Sequence, residues 1–370
     1  MPNLKNVTFA GMATIFLFAA GVASHSARAA QEYSIQNLGD FVPLGINDSS
    51  QIAGVLENGI ASAVTWTAGV TTLIPSTLPQ SSGASINNAG EIVGGTLDAQ
   101  SNEEGFIWNS TTGFVSPISP PEQSFFGTVN NLGQIGGFYA NPTESGMTAA
   151  IWNPDGTVTS LPALPGADNN TVVDLNDLGQ AVGTSSPSST GLPHAVLWQN
   201  GNAIDLTPNS PDSTANAINN EGQIVGTYDI PENGTAPYIW DTTHGLTNLP
   251  NVSASTLTDP ADINDQGQIV GDITVIVPGG SYVGFASLWE NGMLYDLNDL
   301  IPVHSGWDLQ YTFAINNSGQ IVGTGTYNDQ QEGFLLTPIP EPAAFILATG
   351  FYLLTSPRRS RGSKHCNRKI

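Results

Sequence analysis

The sequence predicts an all-β fold, a seven-bladed β-propeller of four-stranded blades, on three observations. A nine-residue phrase recurs seven times, a short strand ending in Trp follows six of the copies, and the seventh unit lacks a fourth strand that the N-terminal segment is able to provide. The phrase reads aliphatic residue, Asn, Asn or Asp, any residue, Gly, Gln, aliphatic residue, any residue, Gly. Its copies begin at Ile46, Ile86, Val129, Leu175, Ile218, Ile263 and Ile315, so the steps between first asparagines are 40, 43, 46, 43, 45 and 52 residues. Periods of that size belong to propeller blades, whereas β-helix coils are far shorter.

Each copy reads as a tight hairpin. Aliphatic residues lead in, Asn-Asn or Asn-Asp turns the chain through side-chain bonds to local backbone, Gly takes a positive φ, and Gln-Ile-Val-Gly leads out as a strand. The first copy has Ser50 in place of the turn glycine, which makes its turn the most strained. The Trp-bearing strands are Ala63 to Trp66, Gly105 to Trp108, Ala149 to Trp152, Ala195 to Trp198, Pro237 to Trp240 and Ala286 to Trp289; the seventh copy, Gly333 to Leu336, ends in Leu. A large aromatic at one fixed point of every unit is read as packing between neighbouring blades rather than as a row of stacking platforms. A second turn, such as Asn153-Pro154-Asp155-Gly156 or Glu290-Asn291-Gly292, leads to a fourth strand such as Val158 to Leu161 or Leu294 to Leu297. Four strands make one blade.

In the seventh unit the third strand runs through Thr337-Pro338 into Pro340-Glu341-Pro342 and leaves no room for a fourth. Tyr33, Ile35 and Leu38 share the spacing of Tyr295, Leu297 and Leu300, so the N-terminal strand is expected to complete the last blade. That closes the ring and removes an open sheet edge.

Charge is distributed with unusual asymmetry. All eight Lys and Arg lie at the ends, at Lys5, Arg28, Arg358, Arg359, Arg361, Lys364, Arg368 and Lys369, and all 31 acidic residues lie between Ala29 and Pro357. Such a body repels nucleic acid and anionic membrane surfaces, and Lys or Arg salt bridges have no part in its stability. Cations are its natural counterions. Asp174 to Gly179 and Asp262 to Gly267 have some of the character of calcium loops, but their acidic spacing departs from the loop pattern and Ser185 and Ile273 stand where a twelfth-position Glu is required. Hairpin turns explain them better, and no cofactor or metal ligand set is assigned.

Residues 1–29 have the parts of a secretory signal peptide, with Lys5 in the charged region, an apolar stretch from Val7 to Ala23, and Ala27 and Ala29 flanking Arg28 as the small residues of a cleavage site. Residues 338–370 are tripartite as well: Pro340, Glu341 and Pro342, an apolar run from Ala343 to Thr355, then Arg358, Arg359 and Arg361. The run is short of the roughly 20 residues that span a bilayer. This arrangement resembles the PEP-CTERM sorting signal of bacterial exported proteins. The resemblance implies signal peptidase and an exosortase-type peptidase as partners during export, and a product at the cell surface or outside it after a transient membrane stage. A plain single-pass anchor is the alternative. Cys366, the one cysteine, lies beyond the signal and would leave with it.

The repeats, covering 31–337, resemble the HAF family of extracellular repeat proteins, which is named for His-Ala-Phe at the start of the Trp-bearing strand. Only His194-Ala195-Val196-Leu197-Trp198 keeps that His; the stronger match is the Ile-Asn-Asn-x-Gly-Gln-Ile-Val-Gly phrase. The resemblance implies an exported repeat protein and supplies no catalytic residues.

Little else in the chain marks chemistry. His194, His244 and His304 fall in different units without metal-ligand spacing, and no Gly-x-Ser-x-Gly elbow occurs. Near-equivalent repeats point to a non-enzymatic surface or matrix scaffold that binds extracellular polysaccharide or other exported molecules. The alternative is a glycan-cleaving enzyme using a carboxylate pair on one face of the ring.

Overall fold

The computed structural model describes residues 31–340 apart from 58, 76–79, 98–102, 116–123, 141–145, 188, 190, 231–233, 253–255 and 278–280. The candidate cleavage residues Ala27 and Ala29 lie outside the described residues, as do Glu341, Pro342, Arg358, Arg359 and Arg361 of the sorting signal; Pro340 is the last residue described. No helix among the described residues is long and apolar enough to cross a membrane.

Seven antiparallel sheets of four strands each form the ring. Blades 1 to 6 take consecutive strands, and their inner strands are Phe41–Ile46, Gln80–Ile86, Ser124–Val129, Asn169–Leu175, Ser213–Ile218 and Thr256–Ile263. Blade 7 contains Trp307–Ile315, Ile321–Tyr327 and Gln330–Pro338, and its outer strand is the N-terminal Tyr33–Gly39. The expected closure is therefore present, in a register that opposes Tyr33 to Pro338 and Ile35 to Leu336. The Ile339 N–H donates to the Glu32 carbonyl at 2.8 Å and joins the two ends of the ring.

The turn glycines sit at φ 72–76°, as the hairpin reading requires, and Ser50 adopts the same region at φ 60°. Its hydroxyl donates to Gln320 of blade 7 at 2.7 Å, which offsets part of the strain. The last glycine of the phrase answers a different demand. Every inner strand bulges out of register at one shared point, Leu44, Ala84, Gly127, Val173, Asn216, Ala261 and Phe313, and that of blade 7 bulges again at Gln310. Opposite the bulge an inner-strand carbonyl comes so close to Gly54, Gly94, Gly137, Gly183, Gly226, Gly271 and Gly323 that a Cβ there would lie 1.9–2.2 Å from its oxygen. Only glycine fits.

Seven apolar clusters fill the junctions between blades. Trp198 of blade 4 packs on Ala149, Ile151 and Leu161 of blade 3, and its indole N–H donates to the Pro162 carbonyl at 2.7 Å. Trp289 of blade 6 meets Ala217 and Val225 of blade 5 and donates to Pro250. Leu336 takes the same place in blade 7, against Val270, Ala286 and Leu288 of blade 6. The tryptophans thus pack between blades, as their period implies.

Two local expectations need correction: the fourth strand of blade 3 is Val158–Ser160, which leaves Leu161 just outside it, and that of blade 6 also ends early. Leu297 lies outside the fourth strand of blade 6, which is Met293–Asp296; Leu297–Leu300 is a 3-10 turn capped by the Asp296 carboxylate, which accepts from the Asn298 N–H. The parallel between Leu297, Leu300 and Ile35, Leu38 is therefore one of burial spacing rather than of strand. Seven residues of blade 7's closing strand stay extended because the third strand beside it runs on to Pro338.

Candidate functional site

The axis of the ring is a channel of about 290 Å³ walled by the seven inner strands and their turns. One end of it is built by the asparagines of the repeat. In every copy the first asparagine accepts two N–H groups of its own turn on Oδ1; for Asn47 these are Ser49 and Gln51. Its Nδ2 then donates twice, to the Gln or Glu side chain that closes the turn (Glu91 in blade 2) and to the backbone carbonyl of the equivalent asparagine in the next blade. The interblade bonds run Asn47 to Asn87, Asn130, Asn176, Asn219, Asn264, Asn316 and back to Asn47, at 2.9–3.1 Å.

A second belt lies beside the first. The backbone N–H of Asp48, Asn88, Asn131, Asp177, Asn220, Asp265 and Asn317 each donates to Oδ1 of the next blade's residue in that series, at 2.8–2.9 Å, and this circuit also closes. The carboxylates of Asp48, Asp177 and Asp265 receive further bonds from neighbouring Asn amides, including Asn88 and Asn131 at 2.8 and 3.0 Å. Those bonds explain how three acidic groups tolerate one mouth without a basic partner.

Deeper in the wall, two positions before each first asparagine, stand Gly45, Ser85, Thr128, Asp174, Ala217, Asp262 and Ala314. The two aspartates act as bridges. Asp174 accepts the Leu175 N–H of its own blade, the Ile218 N–H of blade 5 and the Thr128 hydroxyl of blade 3, at 2.8, 2.8 and 3.0 Å. Asp262 accepts the Ile263 N–H and the Ile315 N–H of blade 7, both at 2.8 Å. Both groups are half-buried and line the channel. Burial first, and then the Asp174 charge, push the Asp262 carboxyl up to about 7; burial also raises Asp174.

A separate pair lies on blade 6, where Asp259 and Asp272 stand directly opposite each other across two strands. Asn216 of blade 5 donates to Asp259 and to the Pro260 carbonyl, both at 2.8 Å. Burial and the Asp259 charge push Asp272 up to about 6, and burial raises Asp259, which keeps an exposed face although protein surrounds it on most sides. Like charges at opposed positions destabilise a sheet, so the pair favours having one member protonated.

The residues of the calcium-like turns are engaged otherwise: Asp174 and Asp262 turn to backbone N–H groups, and Asn176 and Asn264 to the belt. The three histidines stay apart. His194 meets Asp205 at 3.2 Å, His244 meets Asp241 at 2.9 Å, and His304 sits in a loop at φ 67°. Sequence reasoning missed the bridging role of Asp174 and Asp262 and the opposed pair at Asp259 and Asp272. The first carried a signal, acidic residues where other copies have small ones; the second appears only once the strand register is known.

No protein-family model matches the chain, and no curated protein matches it. Among solved structures it is similar to the Pyrococcus horikoshii acylaminoacyl peptidase, at 11% identity and a TM-score of 0.51 over 78% of this chain and 49% of that one. It is also similar to a puromycin hydrolase mutant complexed with PGG, at 15% identity and a TM-score of 0.52 over 81% and 52%. TolB from Acinetobacter baumannii aligns at 10% identity, with a TM-score of 0.44, over 83% and 96%. The chain spans about half the length of the two hydrolases. At these identities the likeness is one of fold alone.

Proposed function

We propose that this chain is an exported bacterial surface or matrix protein, a propeller scaffold that binds glycan or other secreted molecules without altering them. The observation that carries the reading is that the channel spends its polar groups on its own architecture. The first asparagines, the belt carboxylates and the wall aspartates are all hydrogen-bonded across blades, and among the described residues the lining holds no Lys, Arg or His. Such a site lacks a free cation or imidazole with which to stabilise developing charge. Export is supported by the sequence at both ends, and the anionic body suits soluble display outside the cell.

One observation favours a second reading. Two opposed carboxyl groups whose proton affinities are both raised by burial, as at Asp259 and Asp272, are the raw material of glycoside cleavage, in which one acid donates and the other assists. A glycan-array screen of the protein, followed by assay of any ligand for released reducing ends, separates the two. Binding without release is expected. Release that is lost in Asp272→Asn would replace the scaffold with an enzyme, and a blank array would remove glycan from the reading.

A further inference from the structure

The inner strand of a blade is a sheet edge, so half of its backbone N–H groups point away from the ladder toward the channel or the neighbouring blade. At two junctions such groups are gathered by a carboxylate: Asp174 ties blade 4 to blade 5 through Ile218, and Asp262 ties blade 6 to blade 7 through Ile315. A neutral acceptor would serve, as Ser85 does for the Val129 N–H at 3.4 Å. Here charged groups stand instead, both lining the one channel, and the Asp174 charge adds to burial in raising Asp262. The titratable groups around them offer no relief. They are Asp259 on the same strand as Asp262, Asp272 on the next, Asp308 and Tyr311 on the inner strand of blade 7, and Asp48, Asp177 and Asp265 at the mouth. None is a base.

We propose that the ring takes up a proton on the Asp174–Asp262 pair in the mildly acidic range, and that this proton strengthens the closed ring: the channel wall is a built-in acid sensor. The proton comes from solvent through the bore and rests on one carboxyl oxygen of Asp262. With the proton on Oδ1, which then gives up the Ile263 N–H of its own blade, Oδ2 still accepts the Ile315 N–H, so the strap between blades is kept while the mutual repulsion with Asp174 disappears. A carboxyl whose folded value lies above its unfolded one binds its proton more tightly in the folded ring. The stability it contributes is fully present below about pH 4, declines as pH rises toward the folded value near 7, and is gone above it. This holds whatever the ring binds.

The test is thermal unfolding of the full chain between pH 5 and 8 at fixed ionic strength, beside carbon-detected NMR titration of the Asp carboxyls. Wild type is expected to melt higher at pH 5.5 than at pH 8, and one carboxyl to titrate well above the usual range. Asp262→Asn, which mimics the protonated acid, should flatten the pH slope and raise the folding constant at pH 8 by roughly tenfold or more. Asp174→Asn should lower the midpoint of the remaining carboxyl. Asp155→Asn, at an exposed turn whose carboxyl the Thr157 hydroxyl and N–H hold low, should leave the slope alone. Carboxyls that all titrate below pH 5, or an Asp262→Asn protein with the wild-type slope, would overturn the proposal. If Asp262→Asn does not fold, the wild-type titration and Asp174→Asn decide it.

Discussion

Removing the N-terminal strand should open the ring, and the size of the effect follows from what that strand buries. Tyr33 is 0% exposed, among Phe334, Leu336, Leu297 and Leu309, and Leu38 is 8% exposed beside Phe41 and Leu335. Truncating a buried aromatic to Ala costs about 3–5 kcal/mol and a buried Leu about 2–5 kcal/mol. Deleting Glu32 to Gly39 therefore removes at least roughly 5 kcal/mol, before the lost ladder is counted. That is comparable with the whole stability of an ordinary domain, about 5–15 kcal/mol. The deletion should leave no cooperative transition at room temperature by near-UV circular dichroism. Two point variants grade the argument. Tyr33→Ala should lower the melting temperature by several degrees. Tyr33→Phe should hold or raise it, since the buried hydroxyl has no partner and an unmet group of that kind costs about 1–3 kcal/mol. Leu178→Ala, at a turn where the side chain is 68% exposed, is the control. A control deletion of Ser185 to Thr190 would mislead, because Ser185 is a buried strand residue bonded to Leu164 and Asn170. If the Glu32 to Gly39 deletion melts like Leu178→Ala, the closure is not what holds the last blade.

Asn176→Asp should destabilise by about 2–4 kcal/mol in urea unfolding, because the carboxylate loses both donors, to Gln180 and to the Asn219 carbonyl, in a buried site; a change below 0.5 kcal/mol would show that the belt is incidental. Added salt should raise the melting temperature by screening an acidic body without Lys or Arg, and calcium that does no more than sodium at equal ionic strength would leave screening as the whole effect. Intact mass of the protein recovered from its host should show cleavage after Ala29 and loss of the segment from about Pro340 onward; retention of Arg358 to Ile370 would make the tail an anchor.

The ring was legible because its evidence is periodic. Seven turns gave seven blades, six tryptophans gave the junctions, and a missing strand at one end matched a surplus strand at the other. What stayed hidden was non-periodic or doubly used. Asn47 and its equivalents fit the rules for a turn so completely that nothing in the sequence demanded a second job, yet one of the four bonds of each side chain reaches across to the next blade. The last glycine of the phrase looked like part of the strand pattern; its cause is a bulge that no local propensity announces. Asp174 and Asp262 lie next to turn residues of the same type and were absorbed into a calcium-like pattern, while pairing Asp259 with Asp272 needs a register that sequence does not supply.

The asparagine belt has a direction but no origin. Each link runs from the amide of one blade to the carbonyl of the next, and the link from Asn316 to Asn47, which joins blade 7 to blade 1, is made like the other six. With Glu32 and Ile339 already bonded, the break between the N-terminal strand and the third strand of blade 7 is a seam that the belt does not register. A polypeptide cut in any other blade and joined at this seam would meet the same neighbours in the same order. The architecture of the ring is cyclic although its backbone is not.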